Sequence, residues 1–376
     1  MATEYTTSAE PTPLRRRKGR HLSVCVDPQD PIEGRECWFH EIRFVHHPLA
    51  EIDCDTLDLR TTFQGEELTR PFFISCMTGG SEAGARANKN LVRAAQATGI
   101  PVGLGSMRVL LREPELFDHF YMKPLAPDVP VWANLGVGQL NRIALTDLVE
   151  WLKRLEVQSL VLHCNPGQEQ FQPDGDRCFT GILEQIKRLC EQSPIPIVVK
   201  ETGFGLRPQD IAVLVDAGVN AVDIAGSGGT NWVLVESQCH PDTHAAIADD
   251  YRDWGNPTPL VLAAIEQAPI PVLASGGLRN GIDIAKSLAL GATLAGLALP
   301  FAKIEHNEGL DGVIRYIEEL TQSLKTTMLL TGSHNVADLS RAGLILSDRF
   351  AAHALQYRNG GDWRTLLRHG EKPTKA

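Results

Sequence analysis

One stretch of the sequence concentrates side chains that bind anions or metal ions. It begins with His163 and Asn165 and continues through Gln168 and Glu169 to Asp176. Carboxamide and carboxylate groups in such a loop suit a hydrated hard cation whose remaining ligands are the phosphate oxygens of a substrate. An acidic loop by itself is most often solvated surface, so other residues must support this interpretation.

A lysine closes a buried apolar run further along the chain. Lys200 ends the sequence IPIVVK, at residues 195–200. An ammonium group at the end of a buried strand needs an anion or an electron-rich ring as its partner. The alternative is a lysine that extends to the rim of the protein with its charge in water.

Two glycine-rich turns could bind phosphate. They occupy residues 228–230 and 275–279. A glycine lets its backbone N–H approach an anion closely, and the loops after the seventh and eighth strands of a β/α barrel commonly form a phosphate site. A Gly-Gly pair alone is usually only a turn, but this position in the strand order favours a phosphorylated ligand.

The net charge places these groups in context. The 36 Lys+Arg and 46 Asp+Glu residues give a formal charge of −10, which excludes a general nucleic-acid-coating protein. Several cations nevertheless follow predicted strands or stand near the N-terminus, which indicates a small polyanionic ligand. They are Arg17, Lys18, Arg108, Lys200 and Arg279.

Eight short apolar runs must position these residues, and segments of helical periodicity separate most of them. This alternation predicts a (β/α)8 TIM barrel, with a doubly wound sheet as the alternative. The barrel is favoured because small or functional residues follow nearly every run and would meet at one face. The predicted strands are residues 72–76, 100–104, 131–135, 159–163, 195–200, 221–225, 270–275 and 294–299.

The remaining segments are predicted to lie outside the barrel strands and the helices that alternate with them. Residues 1–14 and 370–376 are polar and are expected to be mobile, which leaves 15–369 as one domain. Residues 231–257 form a long insertion after the sixth strand and could be a lid, and a final helix is expected over 310–330.

Composition excludes several classes of protein. The 376 residues contain 43% apolar and 22% charged residues, as in ordinary globular proteins. No secretory signal or membrane-spanning stretch is recognisable, so a cytoplasmic protein is expected. The eight cysteines include no C-x-x-C pair and are interpreted as reduced thiols.

The motifs together resemble one family, the FMN-dependent type 2 isopentenyl-diphosphate delta-isomerases, over residues 17–332. The resemblance rests on eight motifs in the same order. They are R-K-x-x-H at 17–21, S-x-M-T-G-G at 75–80, G-S-x-R at 105–108, N-L-G at 134–136, H-x-N-x-x-Q-E-x-x-Q-P-x-G-D at 163–176, K-E-x-G-F-G at 200–205, G-G-T-N-W at 228–232 with Glu236 beyond, and A-S-G-G-x-R at 274–279.

The resemblance implies a set of flavin-binding residues. Some would lie against or hydrogen-bond the ring system, and others would hold the FMN phosphate. The ring residues are Cys76, Met77, Thr78, Ser106, Asn134 and Lys200, and the phosphate residues are Thr230, Gly277, Leu278, Arg279, Ala298 and Leu299.

A second implied set would bind the diphosphate substrate, with Glu169 as the ligand of Mg²⁺ and Gln168 near the allylic carbons. The substrate residues are Arg17, Lys18, Ser106, Met107, Arg108, His163, Asn165 and Gln168. Four positions depart from the residues usual in the family, which leaves the detailed substrate geometry open: Cys76, Met107, Asp174 and Ser227.

The implied reaction interconverts isopentenyl and dimethylallyl diphosphate by a 1,3-allylic proton shift in isoprenoid biosynthesis. An ordinary side chain does not easily protonate an unactivated alkene, so FMN reduced by NADPH or NADH is expected to act as acid and base. Lys200 would balance the charge of the reduced flavin, and Gln168 would position the alkene or relay a proton. The resemblance also implies a homo-oligomer, either a tetramer or an octamer.

Two other functions are compatible with parts of the pattern. An FMN-dependent hydroxy-acid oxidase or dehydrogenase shares the barrel and the glycine turns, but it needs a histidine base beside paired arginines late in the barrel. No histidine after Lys200 has that setting. A non-catalytic flavin- or phosphate-binding protein is the other alternative, and the presence of Gln168, Glu169 and Lys200 argues against it.

Overall fold

The computed structural model describes residues 12–242, 244–265, 268–358 and 360. Its centre is a closed barrel of eight parallel strands in the order β10-β11-β4-β5-β6-β7-β8-β9. The prediction of eight strands and a TIM barrel is confirmed. The doubly wound sheet is excluded because β11 and β4 pair and close the ring, with Ala295 opposite Phe72.

The strands are short and the barrel strands are almost completely buried. Two pairs lie outside the barrel: β1 with β12, and β2 with β3. The strands are β1 (Ile42–Phe44), β2 (Thr61–Phe63), β3 (Glu66–Leu68), β4 (Phe72–Ile74), β5 (Val102–Ser106), β6 (Val131–Gly136), β7 (Ser159–His163), β8 (Ile197–Lys200), β9 (Ala221–Asp223), β10 (Val272–Ser275), β11 (Leu294–Leu297) and β12 (Leu344–Leu346).

Most helices surround the barrel and alternate with its strands. They are α1 (Pro13–Val26), α2 (Glu82–Thr98), α3 (Leu145–Leu155), α4 (Pro166–Phe171), α5 (Ile182–Gln192), α6 (Pro208–Asp216), α7 (Trp232–Cys239), α8 (Thr258–Ala264), α9 (Gly281–Ala289), α10 (Leu299–Thr331) and α11 (Asp348–Arg358). Among the described residues, no helix is long and apolar enough to cross a membrane.

Helix α2 illustrates why these segments fold as they do. Ser81 caps its start by accepting a hydrogen bond from the Gly84 N–H at 3.1 Å. Gly99 ends it with a φ of 72°, a left-handed conformation that glycine adopts without steric cost. Between the caps, apolar side chains recur every three or four residues and face the barrel, while Arg86 and Lys89 are exposed.

The amino-terminal end of the barrel is filled by side chains. Phe63 and Leu68 of the β2–β3 hairpin join a buried cluster with Phe73 and Trp132 from the barrel strands. The Phe63 and Trp132 ring centroids are 5.5 Å apart. Among the described residues, the hairpin therefore plugs this end of the barrel.

The N-terminal extension begins with a helix. Helix α1 starts at Pro13 and is capped by the Thr12 hydroxyl, two residues before the predicted start of the domain at residue 15. Residues 1–11 and 370–376, which were predicted to be mobile, lie outside the described residues. The single domain over 15–369 stays a prediction.

Two predicted segments take more definite forms. The insertion after the sixth barrel strand contains α7 and a 3-10 helix at Ala245–Tyr251, and Asn231 links them by donating to the Tyr251 carbonyl at 2.7 Å. The helix predicted as the last one is part of α10, which begins at Leu299 rather than at residue 310 and breaks at Gly309, where φ is 64°. It is not the last helix, because α11 follows it. The predicted helix corresponds to the part after this break.

Candidate active site

A large cavity opens at the carboxyl ends of the barrel strands. Every residue predicted to bind flavin or Mg²⁺ lines it, and so does every residue predicted to bind substrate except one. The exception is Met107, whose side chain is fully buried in the hydrophobic core and does not face the cavity. The 3-10 turn after β5 directs this side chain into the core, so a substrate contact at Met107 would have to use its backbone and stays a prediction.

One part of the wall is formed by glycines that approach each other closely. A Cβ added to Gly229 would lie 2.6 Å from the Gly277 nitrogen, and one added to Gly276 would lie 2.2 Å from the Gly226 oxygen. Side chains are thus excluded from the contact between the loops after β9 and β10. The start of α10 at Leu299 borders the same region, so backbone N–H groups could hold a phosphate here.

The N-terminal extension covers this glycine region. The Gly34 N–H donates to the Gly229 oxygen at 3.1 Å, and the Asn231 N–H donates to the Ile32 oxygen at 2.7 Å. Between them, the Glu33 carboxylate forms an ion pair with the Arg279 guanidinium. Arg279 is therefore already held by a carboxylate at the predicted phosphate site.

Lys200 lies at the floor of the cavity and is almost fully buried. Its ammonium group donates to the Glu201 carbonyl at 2.7 Å and is 4.0 Å from Asp223 Oδ2. Glu201 Oε2 in turn accepts backbone N–H bonds from residues 202–205, which fixes the loop after β8. Asp223 is thus a carboxylate partner of Lys200, one of the two kinds of partner that the sequence indicated.

Two glycines let the loop after β4 enter the cavity wall. A Cβ on Gly103 would lie 2.4 Å from Cys76 Sγ, and one on Gly105 would lie 1.9 Å from the Thr78 oxygen. The Gly105 N–H instead donates to that oxygen at 2.6 Å. Burial raises the pKa of the Cys76 thiol to about 12, so this group is a neutral part of the wall.

Helix α1 turns one face into the cavity. Arg17, Lys18 and His21 line it together with Leu14 and Cys25, a spacing of three or four residues that follows the helical period. Because this helix precedes the barrel in sequence, only the folded chain brings its cations to the mouth.

The cations of the mouth are close enough to change one another's protonation. Lys18 donates to the Ser106 carbonyl at 3.1 Å. Burial, assisted by the charges of Arg17 and Arg108, lowers the pKa of Lys18 to about 7. Burial also lowers the pKa of Arg108, and its guanidinium still remains charged. An anion entering this cluster would relieve the repulsion among its positive charges.

His163 is held as a neutral ring beside the same cluster. Its Nδ1 is 2.9 Å from Asn134 Oδ1, which leaves Nε2 for a ligand. Burial and the charges of Lys200, Lys18 and Arg108 lower the pKa of His163 to about 3. The histidine can thus form hydrogen bonds in the cavity, but it is neither a cation nor a strong acid at neutral pH.

The short helix α4 presents the amide and carboxylate groups. Asn165 Nδ2 donates to Gln168 Oε1 at 2.9 Å and to Glu169 Oε1 at 3.0 Å. Gln168 Nε2 donates to Glu236 Oε1 at 2.7 Å, and Gln172 donates to the same oxygen at 2.7 Å. The Gln168 carboxamide is thereby fixed at both ends in the cavity wall.

Glu236 of α7 carries a buried negative charge behind Gln168. His21 Nε2 lies 2.9 Å from its Oε1. Burial alone would raise the pKa of Glu236, but the charge of His21 and the hydrogen bonds from His21, Gln168 and Gln172 hold it below its ordinary value. The sequence motif contains His21 and Glu236, yet only the fold shows that they are partners.

Glu169 is buried at the cavity wall and has defined partners. Its Oε2 accepts the Asp176 N–H at 2.6 Å, and its backbone oxygen accepts from Arg177 at 2.7 Å. Asp176 itself accepts from Gln139 at 2.9 Å and pairs with Arg142. Among the described residues there is no cluster of three or more His, Cys, Asp or Glu that could hold a metal ion. A cation here would take one carboxylate from the protein and its other ligands from substrate and water.

Sequence reasoning missed Glu33 and Asp223 altogether. Asp223 offered a signal, since an acidic residue that ends a buried strand needs a partner just as Lys200 does. Glu33 lies in an irregular segment where the sequence pattern gives no indication of a partner. Asp176, Gln139 and Gln172 appear in or near the motifs, but nothing in their spacing reveals what they contact.

Several known proteins are similar to this chain in sequence. Residues 32–165 and 168–346 match the family of FMN-dependent dehydrogenases. The chain is 38% identical over 344 residues to the isopentenyl-diphosphate delta-isomerase of Borrelia garinii subsp. bavariensis, covering 91% of this chain and 96% of the relative. It is 37% identical over 343 residues to that of Nostoc sp., covering 90% and 97%.

The chain belongs to the FMN-dependent isopentenyl-diphosphate delta-isomerases. The predicted family is confirmed, and FMN is the cofactor of this isomerase. The isopentenyl-diphosphate delta-isomerase of Thermococcus kodakarensis is also similar to this chain. The two are 37% identical over 341 residues, which cover 88% of this chain and 91% of the relative.

Solved structures share the fold of this isomerase. A mutant flavocytochrome b2 with benzoylformate superposes with a TM-score of 0.65 and 21% identity, covering 95% of this chain and 89% of that one. A mutant mandelate oxidase with an FMN adduct gives a TM-score of 0.60 and 18% identity, covering 87% and 92%. At identities this low, the structural similarity supports the barrel fold and no shared activity.

Proposed function

We propose that this isomerase interconverts isopentenyl diphosphate and dimethylallyl diphosphate by a 1,3-allylic proton shift, as a step of isoprenoid biosynthesis. The observation that carries the proposal is that one cavity contains three features. They are the glycine turns after β9 and β10, the half-buried or buried cations Arg17, Lys18 and Arg108, and the Gln168 carboxamide. The glycine turns fit the FMN phosphate, and the cations fit a diphosphate. An oxidase of hydroxy acids has no evident use for the α1 cations.

The proposed diphosphate site combines cations with neutral hydrogen-bonding groups. Arg17, Lys18 and Arg108 supply positive charge, and Arg17 is also paired with Asp174. His163 and Asn165 supply the neutral groups. A polyanion replaces repulsion between cations with attraction in a partly desolvated site, where each charge–charge interaction is stronger than in water. This arrangement favours a diphosphate over a neutral or monoanionic ligand.

Mg²⁺ is proposed to bind between Glu169 and the diphosphate. Mg²⁺ is commonly held by one or two carboxylates with substrate phosphate oxygens and water completing an octahedron. Glu169 fits this role because it is buried, borders the cavity and is oriented by Asn165 and the Asp176 N–H. The ion would neutralise the diphosphate charge that the cations leave unbalanced.

FMN reduced by NADPH or NADH supplies acid/base chemistry and an electron-rich ring when it is bound. Lys200 is proposed to face the pyrimidine side of that ring and to balance its negative charge. Gln168 orients the alkene, since its amide is held by Asn165 and Glu236 and cannot rotate freely. Glu236 keeps the Gln168 nitrogen engaged, so that the position of the carboxamide is constant during the reaction.

The test is anaerobic. Purified protein with reduced FMN, Mg²⁺ and isopentenyl diphosphate is incubated in D2O, and the products are followed by NMR. Deuterium-labelled dimethylallyl diphosphate that forms only with reduced flavin supports the proposal. Bound flavin without any allylic product would overturn the isomerase mechanism and leave the oxidoreductase alternative. The predicted homo-oligomer, a tetramer or octamer, is checked separately by light scattering.

A further inference from the structure

A buried carboxylate lies directly behind Lys200 and outside the cavity wall. Asp223 ends β9 and is only 2% exposed. Its Oδ2 is 4.0 Å from the Lys200 ammonium, and Lys200 itself lines the cavity. Asp223 itself does not line the cavity, so the charge of a ligand would act on it mainly through Lys200.

The hydrogen bonds of Asp223 are unevenly distributed over its two oxygens. Oδ1 accepts from the Ser275 N–H at 3.1 Å, the Ser275 hydroxyl at 2.7 Å and the Ala225 N–H at 3.3 Å. Oδ2 receives only a share of the Ser275 hydroxyl, at 2.9 Å, besides the distant Lys200. Oδ2 is thus the atom on which a proton can be placed without breaking a backbone hydrogen bond.

The charged and titratable groups around Asp223 are few. Lys200 on β8 faces it, Ser275 on β10 bonds it, and the Cys76 thiol after β4 is near enough to interact with its charge. Glu201 is the other buried carboxyl beside Lys200. Burial raises the pKa of both carboxyls, but Glu201 Oε2 accepts four backbone N–H groups against the two that Asp223 accepts, and such bonds favour the charged form.

The charges of Lys200, Asp223 and the bound flavin must balance at the floor of the cavity. With neutral oxidised flavin bound, Lys200 and Asp223 balance each other, while four backbone N–H groups stabilise the charge of Glu201. If the flavin gains two electrons and one proton, it becomes an anion, and the flavin and Asp223 then share the one positive charge of Lys200. A buried excess charge is costly and is usually removed by a proton.

We propose that Asp223 takes up a proton at Oδ2 when the flavin is reduced, which leaves Lys200 to balance the anionic flavin alone. The inference rests on the proposed position of Lys200 beside the pyrimidine ring. The balanced step is oxidised FMN plus the Asp223 carboxylate plus two electrons and two protons, giving anionic reduced flavin and the Asp223 carboxylic acid. The electrons come from the nicotinamide or from a chemical reductant.

The experiment counts protons rather than turnover. The two-electron midpoint potential of the FMN-loaded protein is measured between pH 6 and 9 against reference dyes, and its slope gives the protons taken up per flavin. We expect two protons over part of this range in the wild type and one in Asp223→Asn. A control, Ser275→Ala, removes a hydroxyl without removing the proton acceptor and should retain two.

A second measurement keeps the proposal testable if Asp223→Asn does not fold. Infrared difference spectra of the wild type should show a carboxylic acid C=O band that appears on reduction and shifts in D2O. A slope of one proton at every pH without this band overturns the proposal. A slope of two protons also overturns it if the absorption spectrum is that of neutral reduced flavin, because the second proton is then on the flavin. The proposal is likewise overturned if Asp223→Asn retains the infrared band, because another carboxyl then takes up the proton. A protein that shows both signatures but forms no allylic product overturns the proposed isomerase mechanism alone.

Discussion

The Arg279 guanidinium pairs with the Glu33 carboxylate, and this ion pair joins the N-terminal extension to the glycine turn after β10. The FMN phosphate is proposed to bind at the same guanidinium. A carboxylate and a phosphate must then share one cation, and each weakens the attraction of the other for it. Glu33 is therefore expected to limit the affinity for FMN.

The variant Glu33→Gln should bind FMN about threefold more tightly. The effect is modest because both side chains are about one third exposed and water screens their interaction. Quenching of flavin fluorescence gives the dissociation constant. Glu36→Gln is the matched control, since Glu36 belongs to the same segment but pairs with Arg349. Weaker binding in Glu33→Gln would mean that Glu33 holds Arg279 in place for the phosphate.

Diphosphate affinity should fall as the pH rises above about 7. Burial, with Arg17 and Arg108 nearby, lowers the pKa of Lys18 to about 7 in the free protein, so the ammonium is fully present only below that pH. Above pH 7 the bound anion must draw a proton onto Lys18, which costs up to about tenfold in affinity per pH unit. Calorimetry with methyl diphosphate, a monoester that lacks the last ionisation of inorganic diphosphate, in buffers of different ionisation enthalpy measures both affinity and proton uptake.

The matched variant for this prediction is Lys18→Arg. A guanidinium stays protonated throughout the range, so affinity should change little between pH 7 and 9 and no buffer-dependent heat should appear. The same pH dependence in both proteins would assign it to another group. Measurements begin above pH 7.5, where ionisation of the ligand itself contributes least.

Gln168→Ala should lower turnover by about 10- to 100-fold while flavin stays bound. The loss follows from the role proposed for the carboxamide, since a reacting carbon that is misplaced by about 1 Å can cost that much. Gln170→Ala is a control on the same helix, because Gln170 is exposed and outside the cavity wall. Isomerase assays are paired with flavin absorbance. Unchanged turnover in Gln168→Ala would remove Gln168 from the mechanism.

Glu169→Gln should raise the Mg²⁺ concentration needed for half-maximal activity by about tenfold or more. The amide keeps the hydrogen bond that Asp176 donates but loses the charge that attracts a hard cation. A Mg²⁺ titration at saturating substrate measures the change. Glu184→Gln, on the exposed side of α5, is the control. An unaltered Mg²⁺ requirement would show that Glu169 does not bind the ion.

Gly105→Ala should destabilise the folded protein by about 1–3 kcal/mol or prevent folding, because its Cβ would lie 1.9 Å from the Thr78 oxygen. The loop after β4 has to move away, so FMN binding should weaken as well. Urea unfolding and flavin titration test the two effects. Gly19→Ala in α1, where the nearest atom would be 3.8 Å away, should be tolerated or slightly stabilising.

Local pattern alone determined the elements of the barrel. The run that became β8 is apolar up to Lys200 because both faces of a barrel strand are covered, and a glycine ends β6. Lys200 at a strand end, and the glycines at 276 and 277, could be assigned to one face because all parallel strands place their carboxyl ends together. The cations in the sequence also predicted a small polyanionic ligand.

Tertiary structure decided which distant residues are partners. Glu33 with Arg279, His21 with Glu236, and Lys200 with Asp223 are pairs between elements that no local period relates. Met107 shows the converse, since a residue between two cavity residues points into the core when a 3-10 turn rotates the chain. Spacing fixes neighbours within a helix or strand, whereas contacts across the mouth depend on how loops close over a cavity, and that depends on packing throughout the chain.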